Sequence, residues 1–282
     1  MKRKLFLVLF ILLLVTFISS TIGVFVVLQR YREADVLYSD LQDRYVTYEP
    51  SSPKEPPEAS KPSGESSGDT PPELTDPAPV LEYAPISVNF DLLLAENSDV
   101  AGWLYCEDTP INYPVLRSAD NEDYLHRDLN RKYLYSGSLF TDYRCEGAGI
   151  DRNHIIYGHN MKNDTMFGTL DEWADQEYYE AHPVLWLLTP EQDYKIEVLA
   201  AYHTTANSDT YLIFPELGAE FSAYITAMAA QSVIQSAIQP EANTKYVLLS
   251  TCADSYSSDN KRFVVHGKLT PVDSAGGVPK QG

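Results

Sequence analysis

An uncharged apolar run near the N-terminus limits the topology of this chain more than any other feature. Residues 5–28 contain no charged side chain, and Lys2, Arg3 and Lys4 precede them. A helix of this length is long enough to cross a bilayer, whereas the apolar part of a cleaved signal peptide is shorter. We therefore predict a transmembrane signal anchor over 1–30, with a cleaved signal peptide as the alternative. The basic cluster predicts a single-pass cell-membrane protein with a cytoplasmic N-terminus and an extracellular remainder.

The composition changes abruptly after the anchor. Nine of the eighteen prolines lie between residues 50 and 79, among many Ser, Glu and Gly residues. Such a segment cannot bury a core, and it is typical of an extended, disordered spacer that holds a domain away from a membrane. We predict a juxtamembrane segment and disordered linker over 31–80, a folded domain over 81–272 and a disordered tail over 273–282.

Charge and cysteine content exclude several functions. The formal net charge of −19 argues against nucleic-acid binding, because phosphate contacts require clustered Lys and Arg. The three cysteines (Cys106, Cys145 and Cys252) cannot all pair with one another, so at least one thiol in this exported domain is free. No paired Cys/His spacing indicates a zinc site, and we predict no metal and no cofactor.

Short apolar segments separated by turn residues follow residue 81. Eight of them are rich in Val, Ile, Leu, Phe and Tyr and predict strands, at 102–105, 113–116, 138–141, 154–157, 184–188, 194–202, 245–250 and 263–269. Two helical patterns interrupt them, over 168–181 and 216–238. Many short strands with few helices predict a mainly β fold, either a barrel or a sandwich with helical insertions.

Cys252 and His159 each follow an apolar strand segment, where a side chain reaches a cleft built from loops. An unperturbed thiol has a pKa of about 8.5, so a nucleophilic Cys252 needs a basic or cationic neighbour. The alternatives are a buried core thiol and a loop histidine without a role. We predict that the five other histidines are structural, namely His126, His154, His182, His203 and His266.

Arg262 lies at the start of the last predicted strand, immediately before residue 263. Alternation places Arg262, Val264 and His266 on one face of that strand and Phe263 and Val265 on the other. If the strands carrying Cys252 and Arg262 are neighbours, the arginine can lower the thiol pKa and donate hydrogen bonds to an oxyanion. A solvated charge at a strand edge is the alternative.

In combination these motifs resemble those of the sortases, the membrane-anchored transpeptidases of Gram-positive bacteria. The order is YGHN at 157–160, LSTC at 249–252 and RFVV at 262–265. Similarity to class B sortases runs from about residue 85 to 270 and includes the segments 97–103, 111–115, 121–125, 137–142 and 166–168. Two positions depart from the family, since Leu248 stands where threonine is frequent and His266 where a small or apolar residue is usual.

The resemblance implies a closed eight-stranded β-barrel with peripheral α-helices. It also implies that Cys252 attacks a peptide bond, usually after threonine, in the C-terminal sorting signal of an exported protein. His159 then protonates the leaving amine, and Arg262 binds the carbonyl and oxyanion. An amine of a cell-wall peptidoglycan precursor or a pilin subunit resolves the thioacyl-enzyme. The implied substrate-binding residues are Asn121, Leu125, Tyr211, Leu212 and Ser250.

Two other functions compete with transpeptidation. A hydrolytic cysteine peptidase uses the same nucleophile, although papain-type enzymes place the cysteine before the histidine and this chain has the reverse order. A membrane-tethered module that binds the cell wall without catalysis would not need Cys252.

Overall fold

The computed structural model describes residues 2–49, 83–145, 152–214, 218–252 and 260–274. The proline-rich segment and most of the predicted tail lie outside these described residues. The N-terminal elements are helix α1 (Lys2–Tyr45), strand β1 (Val46–Tyr48), strand β2 (Ile86–Val88) and helix α2 (Phe90–Glu96).

Eight further strands close into a barrel, which confirms the fold class expected from the resemblance. Every predicted strand is found, because each segment is rich in β-branched and aromatic residues and bounded by turn residues. In chain order the strands are β3 Val100–Tyr105, β4 Asn112–Leu116, β5 Leu139–Thr141, β6 Asn153–His159, β7 Val184–Leu188, β8 Asp193–Thr205, β9 Lys245–Cys252 and β10 Lys261–Val272. Around the barrel the order is β10-β8-β7-β3-β4-β5-β6-β9, and only the pairs β4–β5 and β6–β9 are parallel.

Helix α1 joins the apolar run to the barrel without a break. Its apolar part is exposed and is long and apolar enough to be a candidate membrane span. Further along the helix, Ala34, Tyr38, Leu41 and Tyr45 follow one another at helical spacing, and all four are buried in the core that they share with the barrel. The Tyr38 hydroxyl also donates a hydrogen bond to the Gly137 carbonyl over 2.6 Å.

The two short strands that flank the proline-rich segment pair with each other. β1 pairs with β2 in antiparallel fashion, with Tyr48 opposite Ile86, and the Glu49 N–H donates to the Pro85 carbonyl over 2.9 Å. From the sequence alone, residues 31–80 are predicted to be a juxtamembrane segment and spacer, with the packed domain beginning near residue 81. In the structure residues 34–48 already pack on the barrel, because the apolar stripe of α1 completes its core.

The helices observed in the regions 168–181 and 216–238 are shorter than the two predicted there. The first is divided into a 3-10 helix (Leu170–Ala174) and α3 (Gln176–Ala181), because the Asp175 side chain caps α3 by accepting two backbone N–H groups. The prediction of one helix over 216–238 is wrong, since α4 covers only Ala219–Ala229. After α4 the Val233 N–H donates to the Ala201 carbonyl of β8 instead of to a carbonyl of its own helix.

Two apolar clusters lie on opposite faces of β9 and β10. The barrel core contains Phe263 and Val265 together with the alternate residues of β9. The second cluster, which we call the α4 cluster, lies beneath that helix and contains Val264, Tyr224 and Tyr246. The predicted alternation along β10 is therefore confirmed.

Candidate active site

The three candidate catalytic residues lie at the ends of three neighbouring strands. β6 and β9 run parallel, and His159, the last residue of β6, is the Cα partner of Cys252, the last residue of β9. β10 runs antiparallel to β9 with Val264 opposite Ser250. Cys252 lies two residues after Ser250 and Arg262 two residues before Val264, so antiparallel pairing brings both to the same rim of the barrel.

Thr251 fixes the strand ends at this rim. Its buried hydroxyl accepts the Phe263 N–H over 3.1 Å and donates to the Phe263 carbonyl over 3.3 Å. One side chain thus satisfies two backbone groups of β10 beyond the last regular pair of the β9–β10 ladder. Thr251 therefore has a structural role at this position, because it holds in register the two strand ends that carry Cys252 and Arg262.

His159 is oriented by a backbone carbonyl. Its Nε2 lies 2.8 Å from the carbonyl oxygen of Leu125, which belongs to a 3-10 helix spanning Asp123–His126. A carbonyl oxygen only accepts hydrogen bonds, so Nε2 carries a hydrogen in this contact. The carbonyl thus contacts this candidate histidine as a carboxylate or amide side chain contacts the histidine of known catalytic triads.

The same 3-10 helix covers the ring of His159. The rings of His126 and His159 are stacked, with centroids 5.2 Å apart and planes inclined by 22°. The Nδ1 of His126 in turn lies 3.3 Å from the Tyr135 carbonyl oxygen. Sequence reasoning assigned His126 no part in the site, because only the fold brings residues 126 and 159 together.

Two glycines permit this arrangement. A Cβ on Gly158 would lie 2.5 Å from a methyl carbon of Leu139 and 2.7 Å from the ring of Phe167, so the residue before His159 must be glycine for β6 to pack there. Gly137 has φ of +56°, and a Cβ there would lie 2.2 Å from the Leu125 oxygen that His159 contacts. Both glycines therefore leave the space that the observed position of His159 and of its Leu125 partner requires.

Arg262 lines the cleft beside these strand ends. Its side chain is half-buried, and Nη1 donates to the Lys261 carbonyl over 3.3 Å. The planar guanidinium presents five N–H donors, which suits a carbonyl oxygen that becomes an oxyanion.

A groove of about 670 Å³ extends from this rim. It lies between the segment around the Asp123–His126 helix on one side and the loop after β8 on the other. The loop contains a short 3-10 helix, Asp209–Tyr211. His159 and Arg262 both line the groove, together with Leu125, Tyr157, Arg144, Tyr211 and Leu212.

A buried carboxylate organises the floor of the groove. Asp142 is fully buried and accepts two hydrogen bonds from the Arg144 guanidinium, at 2.8 and 2.7 Å, and one from the Tyr157 hydroxyl at 2.8 Å. Burial alone would raise the pKa of this carboxyl, but the hydrogen bonds from Arg144 and Tyr157 outweigh it, and the pKa lies below its usual value. The sequence patterns give none of these three residues a role, although Asp142 ends the segment 137–142 of the resemblance and Tyr157 begins the motif at 157–160.

The five predicted substrate-binding residues have different environments. Leu125 and Leu212 line the groove, and Leu212 is 46% exposed, which makes it an apolar contact surface. Asn121 also lines it, but its amide already donates to Asp142 and accepts the Tyr143 N–H. Tyr211 lines the groove above Ser250, and their hydroxyls are 2.9 Å apart. Ser250 is fully buried and supports Tyr211 from beneath.

The two other cysteines are buried thiols. Cys106 lies at the end of β3, and burial raises the pKa of its thiol to about 12, which suppresses nucleophilic reactivity. Cys145 is buried in the α4 cluster. Among the described residues, no group of three or more His, Cys, Asp or Glu side chains is arranged to hold a metal ion.

Comparison with known proteins agrees with this architecture. The sortase domain model matches residues 104–270. Sortase B of Listeria monocytogenes is 38% identical over 176 residues, which cover 61% of this chain and 70% of the relative. Sortase B of Staphylococcus aureus is 33% identical over 183 residues, covering 65% and 75% of the two chains. The solved structure of a Staphylococcus aureus sortase B–substrate complex superposes with a TM-score of 0.62 at 33% identity, over 65% of this chain and 85% of that one.

The barrel and the matched domain define a cysteine transpeptidase of the sortase type. The chain belongs to the sortase family, and the relatives and structures that it resembles are sortases B.

Proposed function

We propose that the protein cleaves the C-terminal sorting signal of exported proteins and transfers the new carboxyl end to an amine. Cys252 is the nucleophile, His159 the acid and base, and Arg262 the oxyanion binder. The observation that carries the proposal is the meeting of the β6, β9 and β10 ends at one rim, beside a groove lined by His159 and Arg262.

The first half of the reaction forms a thioester. The thiolate of Cys252 attacks the carbonyl carbon of the scissile bond, and the carbonyl electron pair moves onto oxygen, where the Arg262 guanidinium stabilises the charge. The C–N bond then breaks, and the amine leaves with a proton from Nδ1 of His159. The Leu125 carbonyl keeps Nε2 as the other N–H and stabilises the imidazolium that supplies this proton.

The second half reverses these roles. An acceptor amine attacks the thioester carbonyl, gives a proton to His159 and expels the Cys252 thiolate, so the C–N bond replaces the C–S bond. With α1 as a signal anchor, this site faces the cell wall, where the acceptor is a peptidoglycan precursor or a pilin amine. The candidate membrane span and the sortase relatives support this setting.

The amine dependence of the products tests the proposal. The full-length protein in detergent micelles is incubated with peptides that carry threonine before the scissile bond and randomised flanks, with and without triglycine or hydroxylamine. We expect triglycine and hydroxamate adducts of the N-terminal fragment that increase with amine concentration and are absent in Cys252→Ala. Cleavage that always yields a free carboxylic acid would instead identify a hydrolytic peptidase. If none of the peptides were cleaved, a wall-binding module would be favoured.

A further inference from the structure

A buried histidine outside the catalytic rim is connected to the substrate groove. His266 lies in β10 and is fully buried in the wall of the α4 cluster. Its Nδ1 is 3.3 Å from the Tyr202 hydroxyl of β8, and its Nε2 is 3.2 Å from the Tyr224 hydroxyl of α4. Thus both ring nitrogens meet a tyrosine from a different element.

The hydroxyls of both tyrosines also contact the same residue, Thr210, in the loop that lines the groove. The Tyr224 hydroxyl donates to the Thr210 carbonyl over 2.6 Å, and the Tyr202 hydroxyl lies 3.3 Å from the Thr210 Oγ1. The four groups therefore form a closed hydrogen-bonded ring, which we call the Thr210 ring: Thr210, Tyr202, His266 and Tyr224.

The Thr210 carbonyl assigns the directions of the hydrogen bonds that run from Tyr224 through His266 to Tyr202. The Thr210 carbonyl only accepts, so the proton of the Tyr224 hydroxyl is used there. The Tyr224 oxygen must then accept from Nε2 of His266, as it also does from Nδ2 of Asn153 over 2.8 Å. In a neutral imidazole the other nitrogen, Nδ1, accepts from Tyr202. The Tyr202 oxygen is then an acceptor for the Thr210 hydroxyl, which also lies 3.2 Å from the Thr204 Oγ1. A thioether sulfur, that of Met228, is the weaker acceptor near Tyr202.

His266 fits this pattern only in its neutral form with hydrogen on Nε2. Burial lowers the pKa of His266 to about 3, so the neutral ring persists at any pH at which a cell-wall enzyme works. Phenylalanine or valine at this position would leave two tyrosine hydroxyls without their shared partner.

We propose that His266 is a positioning residue for peptide binding, which acts through the Thr210 ring on the groove wall formed by Tyr211 and Leu212. These two residues directly follow Thr210 and line the groove. Asn153 supports the same wall, since Nδ2 donates to the Leu212 carbonyl over 3.1 Å. The proposal rests on the proposed function for its substrate and on the ring geometry for its mechanism.

Removal of one polar partner at a time tests the ring. Tyr202→Phe and Tyr224→Phe each delete one hydroxyl, and His266→Phe replaces the imidazole by an apolar ring. In His266→Phe, Tyr202→Phe and Tyr224→Phe we expect the KM for the cleaved peptide to rise about tenfold with kcat within about twofold, because buried polar partners lose their hydrogen bonds and ground-state binding is lost. The double variant His266→Phe/Tyr224→Phe should cost no more than the larger single effect, because both changes open one ring.

Tyr246→Phe is the matched control. Tyr246 is fully buried in the same α4 cluster, but its hydroxyl interacts with Glu241 and lies outside the ring. We expect its KM to equal that of the unmodified protein. If Tyr246→Phe raised KM as much as the ring variants, loosened packing under α4 would explain the effect and the positioning role would be overturned.

A readout independent of activity separates this proposal from the proposed function. Hydrogen–deuterium exchange of the peptide covering 208–214 should accelerate in each ring variant and stay unchanged in Tyr246→Phe, while β3 and β4 retain their protection. Unchanged exchange over 208–214 would overturn the ring's role even if cleavage were normal. Accelerated exchange in a protein that cleaves no peptide would contradict the proposed function and leave the ring's effect on the wall supported.

Discussion

At the scale of single residues, the rim combines an oriented imidazole with a planar cation. Leu125 holds one nitrogen of His159, and Arg262 presents its guanidinium to the groove. Each group has a defined part in the proposed reaction, because one moves protons and the other stabilises a charge that develops only during the reaction.

The Arg262→Lys variant tests the second of these parts. We expect kcat to fall by about 10²–10³, the cost of removing one oxyanion donor, since lysine keeps the charge but loses the planar fork. Steady-state kinetics with a cleavable peptide measures the loss, and Lys261→Arg is the control because it changes the neighbouring cation. Near-normal turnover of Arg262→Lys would contradict the oxyanion role.

At the scale of elements, local pattern predicts the strands and long-range pairing decides the rest. The eight barrel strands were found because each segment carries its own apolar pattern. β1 and β2 are three residues each and gain their structure only from pairing across the proline-rich segment, so no local signal marks them. Likewise α4 ends at Ala229, before the predicted end at residue 238, because the Val233 N–H donates to a carbonyl of β8.

The site follows the same division. His159, Cys252 and Arg262 could be proposed from motifs at strand ends, since a strand end is visible in sequence. The stacking of His126, the Asp142–Arg144–Tyr157 contacts and the Thr210 ring could not. Their members are far apart in the chain, and polar residues within apolar strands carry no periodicity that predicts their partners.

The pairing of β1 with β2 makes the segment between them replaceable. A four-residue Gly/Ser linker in place of residues 50–82 shortens the closed loop from about 33 residues to about four, which reduces the entropy cost of closure by roughly 2 kcal/mol. We expect a higher free energy of unfolding in urea and unchanged peptide cleavage. A loss of folding or of activity would show that the segment does more than connect the two strands.

At the scale of the whole molecule, α1 connects the candidate membrane span to the barrel. Residue 28 ends the apolar run and Ala34 is already buried against the domain. At 1.5 Å per helical residue this leaves about 9 Å between them, so the barrel lies close to the end of the span.

Two buried histidines make the stability of the molecule depend on pH. Burial lowers the pKa of His154 to about 4, with Lys245 and Arg117 adding to the shift, and burial lowers that of His266 to about 3. Below the ordinary value of about 6.5 the unfolded chain binds protons that the folded chain does not, so stability falls as pH decreases. Each histidine should cost about 2 kcal/mol at pH 5 relative to pH 7.

Urea unfolding of the full chain in micelles at pH 7, 6 and 5 measures this loss. The free energy of unfolding should decrease steadily over the whole range, and the decrease should be about half as large in His266→Phe. A free energy that stays constant between pH 7 and 5 would contradict the neutral, buried state of both histidines.

The central claim is that the three strand ends form one transfer site with Cys252 as its nucleophile. Intact-protein mass spectrometry of the full chain, incubated with a cleavable peptide pool without added amine, tests it most directly. We predict a mass increase equal to the N-terminal peptide fragment, mapped by digestion to Cys252 and removed by hydroxylamine. Cleavage without an adduct, an adduct on Cys106 or Cys145, or an adduct that persists in Cys252→Ala would contradict the account.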